Sequence, residues 1–180
     1  MSAEAEPAAL VRAELARLRQ AAAAGPLLDL ACGAGRNALP LARAGCAVIG
    51  LDRDRARLTA LRDAARGLRV SLLQADLEAS GTIPLASVSC AAVLVFRYLH
   101  RPLAPEIVRV LRPNGLLLYE TFTREHRQVA QHPRNPAFLL EPGELAGLFP
   151  ALVTLSAEEA RVYAPAPEAV ARLVARKPPL

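Results

Sequence analysis

The sequence predicts an α/β fold: a doubly wound, mostly parallel sheet with helices on both faces and an antiparallel edge strand. Three observations carry this. Five apolar runs, Leu27–Ala31, Cys46–Leu51, Val70–Ala75, Val88–Phe96 and Gly115–Phe122, recur along the chain. They are apolar on both faces, as strands covered on two sides are, whereas half-exposed strands alternate. Between them lie Arg36–Ala44, Arg53–Arg66 and Pro105–Leu111, each the length of a crossover helix.

The remaining elements follow from local pattern. Leu10, Val11, Leu15 and Leu18 repeat at helical spacing within residues 4–24, and Gly25-Pro26 ends the alanine run behind them. Residues 1–25 are therefore read as an N-terminal helix. Past Phe122 the rhythm changes. Residues 123–141 are polar and broken by Pro133 and Pro136, the composition of a lid or long loop. Pro142–Phe149 reads as a short helix opened by proline. Leu152–Ser156, Val162–Ala164 and Val170–Val174 read as strands of the closing edge. At 180 residues the chain fits one domain, 1–180, and leaves no room for a separate substrate domain.

Composition excludes several functions. Lys177 is the only lysine among 22 basic residues, and the formal net charge is +5. No three basic residues are consecutive, so there is no polybasic tail. Only 4% of residues are aromatic, few for stacking bases. The acidic start, without an apolar stretch behind it, is unlike a signal peptide. The longest uncharged run, Ala79 to Phe96, is interrupted by Gly81 and Pro84 and is a poor membrane span. Cys32, Cys46 and Cys90 form neither a disulfide framework nor a zinc knuckle and read as buried filler. His100, His126 and His132 match no helical metal motif, so no metal is expected. The expectation is a cytoplasmic protein without membrane attachment, a monomer or a homodimer.

The first strand runs into Asp29-Leu30-Ala31-Cys32-Gly33-Ala34-Gly35-Arg36-Asn37. Small residues at 31, 33 and 35 let a ligand approach the backbone, and the next helix offers its N–H groups. Asp52 ends the second strand, where a carboxylate can accept from both hydroxyls of a ribose. Read as Gly33-x-Gly35-x-x-Ala38 plus Asp52, the turn satisfies a dinucleotide fingerprint. Asp29 discriminates against it: a carboxylate there repels a pyrophosphate but suits a cationic amino group. Asp76 ends the third strand, placed to accept from an adenine amine with Leu77 packing on the ring. Three of five aspartates thus end successive strands on the ligand side.

On these residues the chain resembles the class I S-adenosylmethionine (SAM)-dependent methyltransferases, which have a seven-stranded, Rossmann-like sheet. Leu27–Leu41 is similar to the family's first motif, Val48–Asp54 to the second and Leu73–Leu77 to the third. Leu111-Arg112-Pro113-Asn114-Gly115-Leu116 resembles the turn before its fifth strand. Within the family the likeness is to the small bacterial group that includes the tellurite-resistance methyltransferase. The resemblance implies SAM as cofactor, S-adenosylhomocysteine as product, and a binding set of Asp29, Ala31, Gly33, Gly35, Asn37, Asp52, Arg53, Asp76, Leu77 and Phe96. Ala31 replaces a glycine, which is tolerable if its φ stays negative. Asn114 also replaces one, and Asn tolerates a left-handed backbone. Phe96-Arg97-Tyr98-Leu99-His100 is not Asn/Asp-Pro-Pro-Phe/Tyr, which argues against methylation of adenine amines or protein glutamine.

Methyl transfer asks mainly for alignment, and a base only where the nucleophile carries a proton. Candidates near the carboxyl ends of strands four and five are Tyr98, His100, Glu120 and His126. His126, His132 and Arg134 fall in the expected lid. Segment 97–134 holds seven arginines against three glutamates, four of the chain's five net charges. This bias favours a small, anionic acceptor. An RNA methyltransferase and a non-catalytic SAM-binding scaffold are the alternatives, and an NAD oxidoreductase ranks behind them.

Overall fold

The computed structural model describes residues 6–130, 132–133, 135–163 and 166–179. Seven strands form one sheet: β1 (Leu27–Leu30), β2 (Val48–Asp52), β3 (Val70–Gln74), β4 (Cys90–Phe96), β5 (Leu111–Phe122), β6 (Val153–Val162) and β7 (Glu168–Arg176). Their order is β3-β2-β1-β4-β5-β7-β6. β1 to β5 are parallel, and β7 runs antiparallel between β5 and β6. The chain steps outward from β1 to β3 and then returns to β4 on the other side of β1. This reversal opens a crevice at the carboxyl ends of β1 and β4, where doubly wound sheets bind ligands.

The helices are α1 (Ala9–Ala13), α2 (Leu15–Ala21), α3 (Ala38–Arg43), α4 (Arg55–Ala64), α5 (Leu77–Ser80), α6 (Ala104–Val110), α7 (His126–Val129) and α8 (Glu144–Gly147). None of the described helices is long and apolar enough to cross a membrane. The two faces of the sheet carry separate cores. Leu28 and Leu30 pack with Val93, Val95, Ile107 and Leu117. Leu27 packs on the other side with Leu41, Leu61, Leu94 and Leu118. The period of two along a strand sends neighbouring residues into opposite layers, which explains why these runs carry apolar residues on both faces.

Several expectations are corrected. The leader is two helices, α1 and α2, not one, but Glu14 N–H still donates to Leu10 carbonyl and Leu18 N–H to Glu14 carbonyl. The hydrogen-bond ladder therefore continues across the break. β6 is one continuous strand where the sequence shows two runs; Ala164, expected in the second, lies outside the described residues. Most of β6 is an exposed edge, so no buried face imposes an apolar pattern. β5 begins at Leu111 and absorbs the Arg112–Gly115 turn, with Asn114 at φ +63° as expected. The lone lysine, Lys177, donates from Nζ to Val108 and Leu111 carbonyls and closes the end of α6.

The described residues of segment 123–141 do not run free. Thr123 and Leu140 form a parallel bridge. Arg101 reaches from the β4–α6 connection to the carbonyls of Ala137 and Leu139 and to the Glu144 carboxylate. Proline and polarity signal irregular backbone, but they do not signal whether long-range side-chain bonds fasten it. Arg134 lies outside the described residues.

Candidate active site

β1 delivers the chain into a turn made by left-handed residues. Ala31, Gly33 and Gly35 have φ of +56°, +56° and +89°. Ala31 therefore departs from the negative φ that the sequence suggests, at a cost of roughly 1–2 kcal/mol for an L-residue. Hydrogen bonds hold it there: Cys32 N–H donates to Leu51 carbonyl, and Gly35 N–H to Cys32 carbonyl, both at 3.0 Å. A Cβ on Gly35 would run into Leu61 Cδ1.

Asp52, closing β2, joins this turn to the neighbouring strand. Its Oδ2 accepts from Gly33 N–H at 2.7 Å, and its Oδ1 from Asp54 N–H at 2.9 Å. A carboxylate has about four acceptor sites, so capacity remains on both oxygens. Asp52 lines a cavity of about 260 Å³ together with Ala31, Arg53, Asp76, Leu77 and Phe96. Asp76 also caps α5, its Oδ1 accepting from Glu78 and Ala79 N–H at 3.0 and 3.2 Å.

The other four residues of the expected set stand behind the turn. Gly33 is held by Asp52, and Gly35 packs on Leu61 and Leu39. Asn37 turns its Oδ1 to Ala8 N–H at 3.0 Å, fastening the leader across the turn. Asp29 lies deepest, only 2% exposed. It accepts from the backbone N–H of Ala38, and its Oδ2 is buried without a partner among the described residues. Burial, opposed by the Ala38 N–H and reinforced by Asp52, pushes its carboxyl up to about 7.

Comparison with known proteins agrees with this geometry. Residues 27–115, which span β1 to the start of β5, match the methyltransferase-domain family model. That stretch carries a methyltransferase domain, and the seven-stranded sheet has the class I methyltransferase fold. No curated protein matches the sequence. Among solved structures, a SAM-dependent methyltransferase from Methanosarcina mazei superposes with TM-score 0.71 at 18% identity, over 86% of this chain and 93% of that one. A structure concerned with conversion of a disulfide bond into a thioacetal group during echinomycin biosynthesis gives 0.75 at 22% identity, over 97% and 82%. TehB from Haemophilus influenzae gives 0.69 at 20% identity, over 90% and 62%. At these identities the likeness is one of fold.

Of the four candidate catalytic residues in this methyltransferase, the structure brings Tyr98 to the cavity. Its hydroxyl is buried with no hydrogen-bond partner among the described residues. Burial, then the carboxylates of Glu78 and Asp76, push it up to about 12, so it stays protonated near neutrality. Glu120 is buried between two arginines, 3.4 Å from Arg97 and 2.7 Å from Arg172. His126 is 2% exposed, and its Nδ1 accepts from Ala169 N–H at 3.1 Å. Nε2 must then carry the proton, 2.8 Å from the His132 carbonyl, while the ring packs 4.0 Å from Phe122. His126 is thus bound into the structure. His100 is half-buried and outside the cavity lining.

Sequence reasoning missed Arg57 and Glu78 as lining residues. Arg57 reads as one more arginine on a solvated helix face, and Glu78 has no distinguishing spacing. Arg97 also lines the cavity, but its guanidinium lies 4.6 Å over the Phe122 ring and 2.5 Å from Glu168. The arginine excess of segment 97–134 is largely neutralised from outside it. Arg101 pairs with Glu144 and Arg124 with Glu141, while Arg109 takes Glu106 from its own helix. Counting charge along the chain misses partners that tertiary structure brings in.

Proposed function

We propose that this methyltransferase transfers the methyl group of SAM to a small molecule, with the cavity at the β1–β4 crevice as its cofactor site. The Gly33–Asp52 hydrogen bond carries the reading, because it fixes the glycine turn and the free acceptor capacity of Asp52 on one cavity. The residues fit the cofactor. Asp52 suits the ribose hydroxyls, and Asp76 with Leu77 suits the adenine. The buried, unpartnered Asp29 Oδ2 suits a cationic amino group, whose arrival would favour the ionised carboxylate. SAM supplies an electrophilic methyl group on a sulfonium, a good leaving group.

The protein's own contribution is orientation and exclusion of water. Tyr98, protonated and without an internal partner, is a hydrogen-bond donor for the acceptor and not a general base. Glu120 and His126 are already engaged, so the site favours an acceptor that needs little proton removal. An anionic acceptor finds little surplus charge here, because Arg53, Arg57 and Arg97 face Glu78, Asp54 and Glu168. The same pairing disfavours the RNA reading, which needs a basic approach to the cleft. Calorimetry with SAM, followed by S-adenosylhomocysteine release across a panel of small acceptors, tests this function. No SAM binding by the folded protein would overturn it.

A further inference from the structure

A groove of about 640 Å³ lies apart from the cavity just described. It lies at the opposite ends of the strands, between α2 and the bare sheet face of β5, β7 and β6. We propose that it is a second binding site, for an organic anion with an apolar body and a phosphate, carboxylate or sulfonate head.

Three guanidiniums reach it from three elements: Arg17 on α2, Arg112 in the turn of β5 and Arg176 at the end of β7. No Asp or Glu is among its described lining residues, whereas the cofactor cavity balances three arginines with three carboxylates. Arg17 shares its charge with Glu14 at 2.9 Å. Arg112 spends one N–H on the Ala24 carbonyl. Arg176 is exposed, and its guanidinium makes no hydrogen bond or ion pair among the described residues. Gln20 and Asn114 add amide donors at the rim. Fork-shaped guanidinium donors suit planar or tetrahedral oxyanions, and clustered positive charge without counter-charge draws them in.

The floor is apolar. Ala91 and Leu116 belong to the sheet, and Leu155 stands 40% exposed on β6. Two small alanines, Ala21 at the end of α2 and Ala24 just beyond it, leave the space open. The volume falls within the roughly 300–1,000 Å³ of small-molecule sites. Apolar floor and cationic rim together select an amphipathic anion over inorganic phosphate. The inference does not depend on what fills the cofactor cavity.

Fluorescence titration with anilinonaphthalene sulfonate, in saturating S-adenosylhomocysteine to occupy the other cavity, is the test. We expect one saturable site whose affinity falls as salt rises, and uncharged phenylnaphthylamine binding about tenfold more weakly. The double variant R17Q/R176Q should weaken the sulfonate about tenfold, and Leu155→Asp should abolish binding, with thermal midpoint and S-adenosylhomocysteine affinity unchanged. Equal binding of the neutral dye would overturn the proposal. Salt-independent binding by the unaltered protein would overturn it too, whatever the variants do. So would a folded R17Q/R176Q with undiminished affinity.

Discussion

Asp52 holds the backbone N–H of Gly33 at 2.7 Å, tying the carboxyl end of β2 to the glycine turn after β1. The bond makes one side chain both a brace for the turn and a candidate ribose acceptor. Asp52→Ala should therefore lower SAM affinity by at least about tenfold. It should also destabilise the fold by roughly 1–3 kcal/mol through two stranded amides. Calorimetry and a denaturant curve separate these effects. Unchanged affinity would remove the ribose assignment.

Asp29 should make stability fall as pH rises. Its folded pKa, about 7, lies above the ordinary value of 3.8, so between these the native state holds the proton more often than the unfolded chain does. The slope of unfolding free energy against pH is then negative. Stability from this group is full below pH 4 and is lost up to about pH 7 as the buried carboxyl ionises. Asp29→Asn should flatten that part of the profile and raise the melting temperature at pH 8. SAM affinity in the unaltered protein should rise from pH 6 to 8, as the carboxylate that faces the amino group forms.

Tyr98→Phe tests the donor role. Its hydroxyl has no internal partner to lose, so stability should hold or rise slightly. With an acceptor in hand, kcat should fall about tenfold while SAM affinity stays constant. A kcat unchanged within twofold would remove Tyr98 from the reaction.

Ala31→Gly should stabilise the protein. It relieves a left-handed alanine, worth roughly 1–2 kcal/mol, against the greater unfolded-state freedom of glycine, about 0.4–1 kcal/mol. The net expectation is roughly 0–1.6 kcal/mol of added stability, read from a denaturant curve. Gly35→Ala, which meets Leu61, should destabilise instead. A destabilised Ala31→Gly would show that the alanine methyl packs more favourably than its backbone is strained.

His126 should matter to stability and not to cofactor binding. His126→Ala strands the buried Ala169 N–H and opens a gap beside Phe122, costing roughly 2–4 kcal/mol. SAM affinity measured below the melting transition should match that of the unaltered protein.

The sequence by itself determined the parallel sheet, the glycine turn and the three strand-ending aspartates. These are local or periodic signals: a strand buried on both faces carries apolar residues on both sides, and a tight approach needs small residues at fixed spacing. Asp52 and Asp76 line the cavity as their positions suggest, although Asp76 also caps a helix. Tertiary structure alone decided the sign of φ at Ala31, because the bond from Cys32 N–H to Leu51 carbonyl holds that turn. It made β6 one exposed edge strand and fastened residues 123–141 through Arg101. It also decided what the net charge of +5 means. Arg97 and Glu168 are far apart in the chain but 2.5 Å apart in space, so the charge expected around the acceptor is cancelled there. The guanidinium of Arg176, without a partner among the described residues, instead stands at the opposite end of the sheet. Charge acts through distance in space, and distance along the chain does not predict it.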